Sequence, residues 1–527
     1  MTRIDYYWVG FSALVVAIIA FQIPYLNLGH FWDEAWVYAP AIRDMSFYGP
    51  SILPDAIDLS LGRGHPLLFQ ALGGVWAQVF GISNVSLHSY ALFISLSLLI
   101  VVFVGVRRQF GPGAALLASF LIGSQAMFLA QSAMLYPEMF MGLGLIIAVL
   151  GYIDERKWQY LIGMILAIYA KESALVFLFA FTLWDVLRLI LIKDRKWRDL
   201  WVNGILVLVF LSHPTLTYLY HGWFFNPEHT GYILDDPLEF KFKLRMVFRT
   251  YFEDTGRLYL FYPALAATAF FIGLKKKYWN VLLLFIGFAA YKILEWKWVV
   301  KEPYTFFTLM LVFAMLPYVF WYILKKKASS RYLSKNQNLF GLGYLIILGF
   351  ILFSALNFFT PRYLLATVIL GLFLVSIAVW NVFKVDVKLK LVISVALVVW
   401  TVYSTATIRT VSEVNVGLYD DLRIQQSMVD WLIENEARET TFCASFVTTW
   451  YLSNYRSGYI PKGSEFLQGH GVNCSDSCDS ELLILTNTGI ECHTQFFDSL
   501  LQSSLYETVF DSSMRQSRAV VFKRMNN

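Results

Sequence analysis

The chain has 527 residues, of which 57% are hydrophobic, 17% aromatic and only 15% charged. Soluble globular chains carry about 25% charged residues, so this composition excludes a soluble enzyme, a disordered chain and a nucleic-acid binder. The net charge of +5 hides a split: 15 acidic against 8 basic residues from Glu413 onward, and 22 against 34 before it, so a basic, apolar body precedes an acidic, polar tail.

Apolar runs lie at 6–25, 87–106, 113–131, 137–152, 158–170, 173–191, 200–219, 258–274, 279–295, 304–324, 338–357, 362–383 and 391–408. A span needs roughly 20 apolar residues, so this pattern predicts a polytopic α-helical membrane protein with about 13 transmembrane helices. The first run has no A-x-A cleavage site and follows Asp5, which reads as a retained span. Arg107-Arg108, Arg156-Lys157, Lys193 to Arg198, Lys275 to Lys277, Lys325 to Lys327, and Lys384, Lys388 and Lys390 fall in alternate loops. Basic loops favour the cytoplasm. That puts the N-terminus inside and, after an odd number of spans, the tail outside. The expected division is a transmembrane body, 1–408, and an extracytoplasmic α/β domain, 409–527.

Two outer loops interrupt the body, at about 26–86 and 220–257. In the first, the apolar segment 67–80 is helical in pattern but too short to span. In the second, Lys241, Lys243, Arg245 and Arg249 alternate with Phe240, Phe242, Met246, Val247 and Phe248 from Pro237 onward, as in an interfacial helix. An anchor is the plainer reading of it. The tail predicts helices at 418–434 and 496–505 and strands at 440–446, 482–486 and 518–524. It holds no phosphate loop, no GxSxG and no H-E-x-x-H.

All four cysteines, Cys443, Cys474, Cys478 and Cys492, lie in the tail. Disulfides persist in oxidising compartments, in agreement with an outside tail. A zinc site from Cys474, Cys478, Cys492 and His493 is the alternative, made awkward by the adjacency of the last two.

Ionisable residues near a bilayer are functional candidates by default. Here they gather at the outer ends of spans, at about one depth: Asp33 and Glu34, His65, Glu138, Lys171 and Glu172, and Arg362. Each has a plainer reading. Glu138 follows Pro137 at a helix start, where an acid complements the dipole. Lys171-Glu172 reads equally as a hydrated turn, Arg362 as a snorkelling residue, and His65 as a loop residue. Asp33-Glu34 is hardest to dismiss. Flanked by Phe31, Trp32 and Trp36, the pair is partly desolvated, which raises a carboxylate pKa and suits a general base. Lys171 and Arg362 carry the groups that bind phosphate. A carboxylate base and cationic phosphate ligands at the outer surface fit transfer from a lipid-linked phosphosugar, with a polyprenyl phosphate leaving.

At these residues the chain resembles the GT-C-type integral membrane glycosyltransferases, in particular the protein O-mannosyltransferase and lipid A aminoarabinose transferase group. Asp33-Glu34 with Tyr38 resembles that group's acidic motif in the first outer loop. Then come Ala41-x3-Met45, Gly64-His65-Pro66-Leu67-Leu68, similar to an (H/K)-P-P-L segment, and Trp76 to Gly81, similar to an L-F-G ending. Ser132-x5-Glu138 resembles the second acidic position, and Lys171-Glu172 the lysine between spans five and six. Pro361-Arg362-Tyr363-Leu364-Leu365 resembles the late P-R-Y-L-L segment. The resemblance spans about 30–370. Leu67 replaces the usual second proline and His88 the arginine common after L-F-G, while the W-W-D-Y-G signature of oligosaccharyltransferases is absent.

The resemblance implies an inverting transfer from a polyprenyl-phosphate sugar donor to an acceptor (glycan, lipid or protein hydroxyl) at the outer face. Asp33 is then the base, tuned by Glu34. Glu138 joins them at the catalytic site and with His65 orients sugar or acceptor, Lys171 and Arg362 hold the donor phosphate, and Tyr38, Glu172 and Tyr363 are further substrate-binding residues. No metal or other cofactor is expected, and membrane lipid is the other partner. The pattern fits a bacterial inner membrane with the tail in the periplasm, and an endoplasmic reticulum membrane fits it too. The alternatives are a transporter or lipid flippase, which calls for charged or broken helices near mid-span, and a non-catalytic scaffold that leaves Asp33-Glu34 without a role.

Overall fold

Among the described residues of a computed structural model, seven helices are long and apolar enough to cross a membrane: Tyr6–Tyr25, Asn84–Phe110, Glu172–Ile190, Trp201–His221, Lys335–Leu356, Pro361–Val382 and Val387–Thr407. The structure describes residues 5–227, 231, 237–261, 334–383, 385–435, 437–466, 469–471, 480–486 and 505–525. The runs expected at 258–274, 279–295 and 304–324 lie outside them, apart from the first few residues of the first run. Those at 137–152 and 158–170 are shorter helices, Pro137–Ile153 and Lys157–Ala170. The run at 113–131 is two helices, Pro112–Gly123 and Ala126–Gln131. Gly123 lowers helix propensity there, and Ser124 turns its hydroxyl onto its own backbone, at Phe120 O, 2.5 Å away.

The chain forms two compact units. One comprises Met1–Leu14, Ser97–Gln125 and Phe140–Ser404, the other Val15–Leu96, Ala126–Met139 and Thr405–Asn527.

In the first unit, the Pro137–Ile153 and Lys157–Ala170 helices approach to backbone contact. A Cβ on Gly144 would lie 2.7 Å from Gly163 O, and one on Gly151 2.5 Å from Tyr160 N. Small residues permit this approach, which is how helices gain packing energy where lipid supplies no hydrophobic drive. Gly163→Ala should therefore cost about 1–3 kcal/mol through overpacking, read as a lowered melting temperature in detergent. An unchanged melting temperature would mean the two helices separate freely. Several buried polar groups of this unit pair with one another, as a low-dielectric setting favours. Asp185 accepts from the Tyr152 hydroxyl at 2.5 Å and from Asn203 at 3.0 Å, and the Trp184 indole donates to Asn338 at 2.6 Å. The amphipathic helix expected from Pro237 is present as Pro237–Phe252, with Val247, Phe248, Tyr251 and Phe252 buried.

The second unit contains a five-stranded mixed sheet: β1 Phe442–Ala444, β2 Gly469–Gly471, β3 Leu482–Thr486, β4 Tyr506–Met514 and β5 Ser517–Arg524, in the order β2-β1-β3-β5-β4. β1 pairs in parallel with β2 and β3, and β5 antiparallel with β3 and β4. β3 is buried along its whole length, the apolar run expected of a central strand. The helix Leu418–Glu434 buries Leu422, Met428, Val429 and Leu432, and Trp431 lies 5.6 Å from Phe510 of β4. The helix at 418–434 and the strand at 482–486 sit where the sequence puts them. The strand expected at 440–446 shortens because Ser445 caps a helix, Phe446–Ser453, accepting from Thr448 N at 3.2 Å. β4 is an additional strand. It lies at the edge of the sheet with Glu507, Thr508, Asp511, Ser513 and Met514 exposed or partly so, so its sequence reads as a polar loop. The helix expected at 496–505 lies outside the described residues except for Leu505.

Candidate functional site

Asp33 and Glu34 lie side by side, but their surroundings separate them. Trp32 precedes them at φ 49°, an uncommon conformation for a bulky residue, held by its N–H donating to the Tyr451 hydroxyl at 3.1 Å. Asp33 then immediately precedes a single π-helical turn, Glu34–Tyr38, without a side-chain hydrogen bond that caps it. Such turns concentrate at functional sites. Asp33 is half-buried, and its Oδ1 accepts from the Trp36 indole at 2.6 Å.

Glu34 points the other way and is fully buried. Oε2 accepts from Phe31 N at 3.1 Å and Oε1 from Leu135 N at 2.9 Å. Oε1 also lies 3.1 Å from His88 Nε2 and 3.3 Å from His30 Nδ1, and those two nitrogens are 3.1 Å apart. Burial pushes the Glu34 carboxyl up, but His88 and His30 more than offset it and hold the group below the usual carboxylate range. Burial also pushes the His30 imidazole down to about 4. Arg43 stands behind His30, 3.4 Å from its Nε2. It donates to Arg456 O and, at 3.0 Å, to Asn84. Asn84 donates to Gly458 O at 2.8 Å and His30 N to Ser457 O at 3.1 Å. The segment 451–459 thus braces the acidic turn, and Gly29 is bare because a Cβ would meet the Tyr459 ring at 2.6 Å.

The other expected residues of this unit lie around the turn and beyond it. Tyr38 is buried, edge-on to Phe69 and Tyr136 with ring centres at 6.4 and 6.0 Å, so it packs behind the turn. Tyr136 donates its hydroxyl to Phe31 O at 3.0 Å. Glu138 is buried in the first turn of the Pro137–Ile153 helix. His65 is half-buried in the loop after a short helix, Leu59–Gly62.

In the other unit, Lys171 ends the Lys157–Ala170 helix in an extended conformation, and Arg362 opens the 3-10 turn Pro361–Leu364. Both are buried. Lys171 Nζ stands 3.7 Å from the Tyr363 ring centre, and the Arg362 guanidinium lies 5.4 Å from the same centre. One aromatic ring therefore gathers two cations. Glu172 is half-buried beside them in sequence.

Cys443 is disulfide-bonded; Cys474, Cys478 and Cys492 lie outside the described residues. The sequence reading missed His30, Arg43 and Asn84, and noted His88 only as a departure from a motif. The spacing His30-x3-Glu34 was the available signal, since residues four apart share a helical face. His88 joins them only through tertiary structure.

No family model and no curated protein sequence matches the chain. Over 98% of its length the chain is similar in structure to ArnT from Cupriavidus metallidurans bound to undecaprenyl phosphate, with 97% of that chain covered, 11% identity and a TM-score of 0.48. The same protein in the apo state matches over 98% of both chains, with 12% identity and a TM-score of 0.45.

Proposed function

We propose that the chain is a membrane glycosyltransferase. It moves a sugar from a polyprenyl-phosphate donor to an acceptor hydroxyl at the outer face of the membrane, with inversion. The observation that carries this reading is the division of labour within Asp33-Glu34. Glu34 is sealed by two imidazoles and two backbone N–H groups. Asp33 stays half-exposed, with one oxygen oriented by Trp36. A fixed partner beside a reachable carboxylate is what a general base needs.

In this mechanism Asp33 takes the proton of the acceptor hydroxyl. That oxygen attacks the anomeric carbon from the face opposite the phosphate. The bond from anomeric carbon to phosphate oxygen breaks, and the polyprenyl phosphate leaves with the added negative charge. Lys171 and Arg362, gathered at Tyr363, stabilise that charge. Glu138, His65 and Glu172 orient sugar or acceptor, and Tyr38 supports the turn from behind. The helix Pro237–Phe252 covers the lipid chain, the tail selects the acceptor, and the setting is a bacterial inner membrane with the tail in the periplasm.

The test is transfer from a panel of radiolabelled polyprenyl-phosphate sugars by the purified protein in vesicles. Label should reach an acceptor. Label that only crosses the bilayer, still on its lipid, would replace this reading with the flippase one. Lys171→Ala and Arg362→Ala should each raise the donor KM by roughly tenfold or more, since a hydrogen bond to a charged group is worth about 1.5–3 kcal/mol. If neither variant changes it, the phosphate is held elsewhere.

A further inference from the structure

The His30, Glu34 and His88 side chains converge without reaching water, and their facing atoms form a near-equilateral triangle with sides of 3.1, 3.1 and 3.3 Å. Metal–nitrogen and metal–oxygen bonds of about 2.0–2.1 Å in a tetrahedral zinc site place ligand atoms about 3.3 Å from one another. We propose that His30 Nδ1, His88 Nε2 and Glu34 Oε1 bind a divalent metal of the zinc class, tying the segment 30–34 to the Asn84–Phe110 helix. The inference does not rest on the transferase reading.

Proton accounting supports it independently. His88 Nδ1 lies 2.8 Å from Leu26 O. A carbonyl only accepts, so Nδ1 carries the hydrogen and Nε2 presents its lone pair. Glu34 Oε1 is an acceptor that already takes the Leu135 N–H at 2.9 Å. A proton on His30 Nδ1 serves one of these two acceptors well. It leaves the His88 Nε2 and Glu34 Oε1 lone pairs facing each other at 3.1 Å. A cation at the centre of the triangle accepts all three lone pairs. His30 Nε2 sits 3.4 Å from Arg43 Nη2, at the long end of hydrogen-bond range; with Nδ1 on the ion, Nε2 carries the hydrogen and Arg43 keeps its acceptors at Arg456 O and Asn84 Oδ1.

The surroundings are those of a ligating set. A metal-bound imidazole donates its other N–H to a carbonyl, as His88 does to Leu26, and a ligating carboxylate is itself hydrogen-bonded, as Glu34 is by Phe31 N and Leu135 N. Two histidines and one carboxylate form a recurrent zinc donor set. All three side chains are buried, so the binding energy of the ion adds to the stability of the folded unit.

The test uses the full chain, purified in detergent with a histidine-free tag, stripped with chelator and titrated with Co2+. The expected result is about one Co2+ per chain with visible ligand-field bands of a four-coordinate site. X-ray absorption of the cobalt-loaded parent should show imidazole scattering and nitrogen or oxygen neighbours at about 2.0–2.1 Å. His30→Gln and His88→Gln should each weaken binding by about 100-fold or more. Sulfur neighbours at about 2.3 Å would move the metal to the tail cysteines and overturn the proposal. So would absence of binding, which leaves a shared proton in the triangle, or unchanged binding in the double variant. If the variants fail to fold, the absorption spectrum of the parent decides alone.

Discussion

Replacing Asp33 by asparagine should lower sugar transfer by about 10^2–10^4-fold, the contribution of a positioned general base. Asparagine keeps the size of the side chain and still offers an oxygen to the Trp36 indole, which now lies 2.6 Å from Asp33 Oδ1. The turn should therefore stand and the melting temperature stay where it is. The loss should fall on kcat rather than on donor affinity, because the proton moves only in the transition state. A variant that retains most of the parent's turnover would remove Asp33 from the chemistry. The base would then have to be sought at another carboxylate, with Glu138 next in line.

Glu34→Ala should act on stability first. It leaves the Phe31 and Leu135 N–H groups without their carboxylate and strips two buried imidazoles of their anion. Leaving those buried groups unsatisfied costs about 1–3 kcal/mol each, which should lower the melting temperature in detergent by a few degrees. Activity should fall with it, since the same turn carries Asp33. The two variants therefore separate: Asp33→Asn loses turnover in a stable protein, whereas Glu34→Ala loses stability. A Glu34→Ala chain that melts with the parent would mean the cluster is not structural.

The membrane-spanning helices were legible because a span advertises itself as a long apolar run, and β3 and the helix at 418–434 were legible for similar reasons. β4 was not, since an edge strand with acidic and hydroxyl residues on its exposed side looks like a loop. The acidic turn was legible as a motif. Its chemistry was not: sequence alone treats Asp33 and Glu34 as interchangeable, and only the fold shows one sealed and the other reachable. His88 shows the limit most clearly. In the sequence it is an imidazole where an arginine is usual; in the structure it completes a triangle with residues more than fifty positions away. His30 N donates to Ser457 O, a contact across more than four hundred positions that no local pattern announces.

That same brace sets an order of events during synthesis. The Trp32 to Tyr451 hydrogen bond joins residues 419 positions apart. At about 5–20 residues per second, the ribosome needs roughly 20–80 seconds to deliver the second partner after the first. Throughout that interval the acidic turn has been made but lacks the groups that hold Trp32 and His30 in place. On the proposed reading, a newborn chain transfers no sugar until the segment 451–459 arrives. Removing the tail should silence the protein as completely as removing the base.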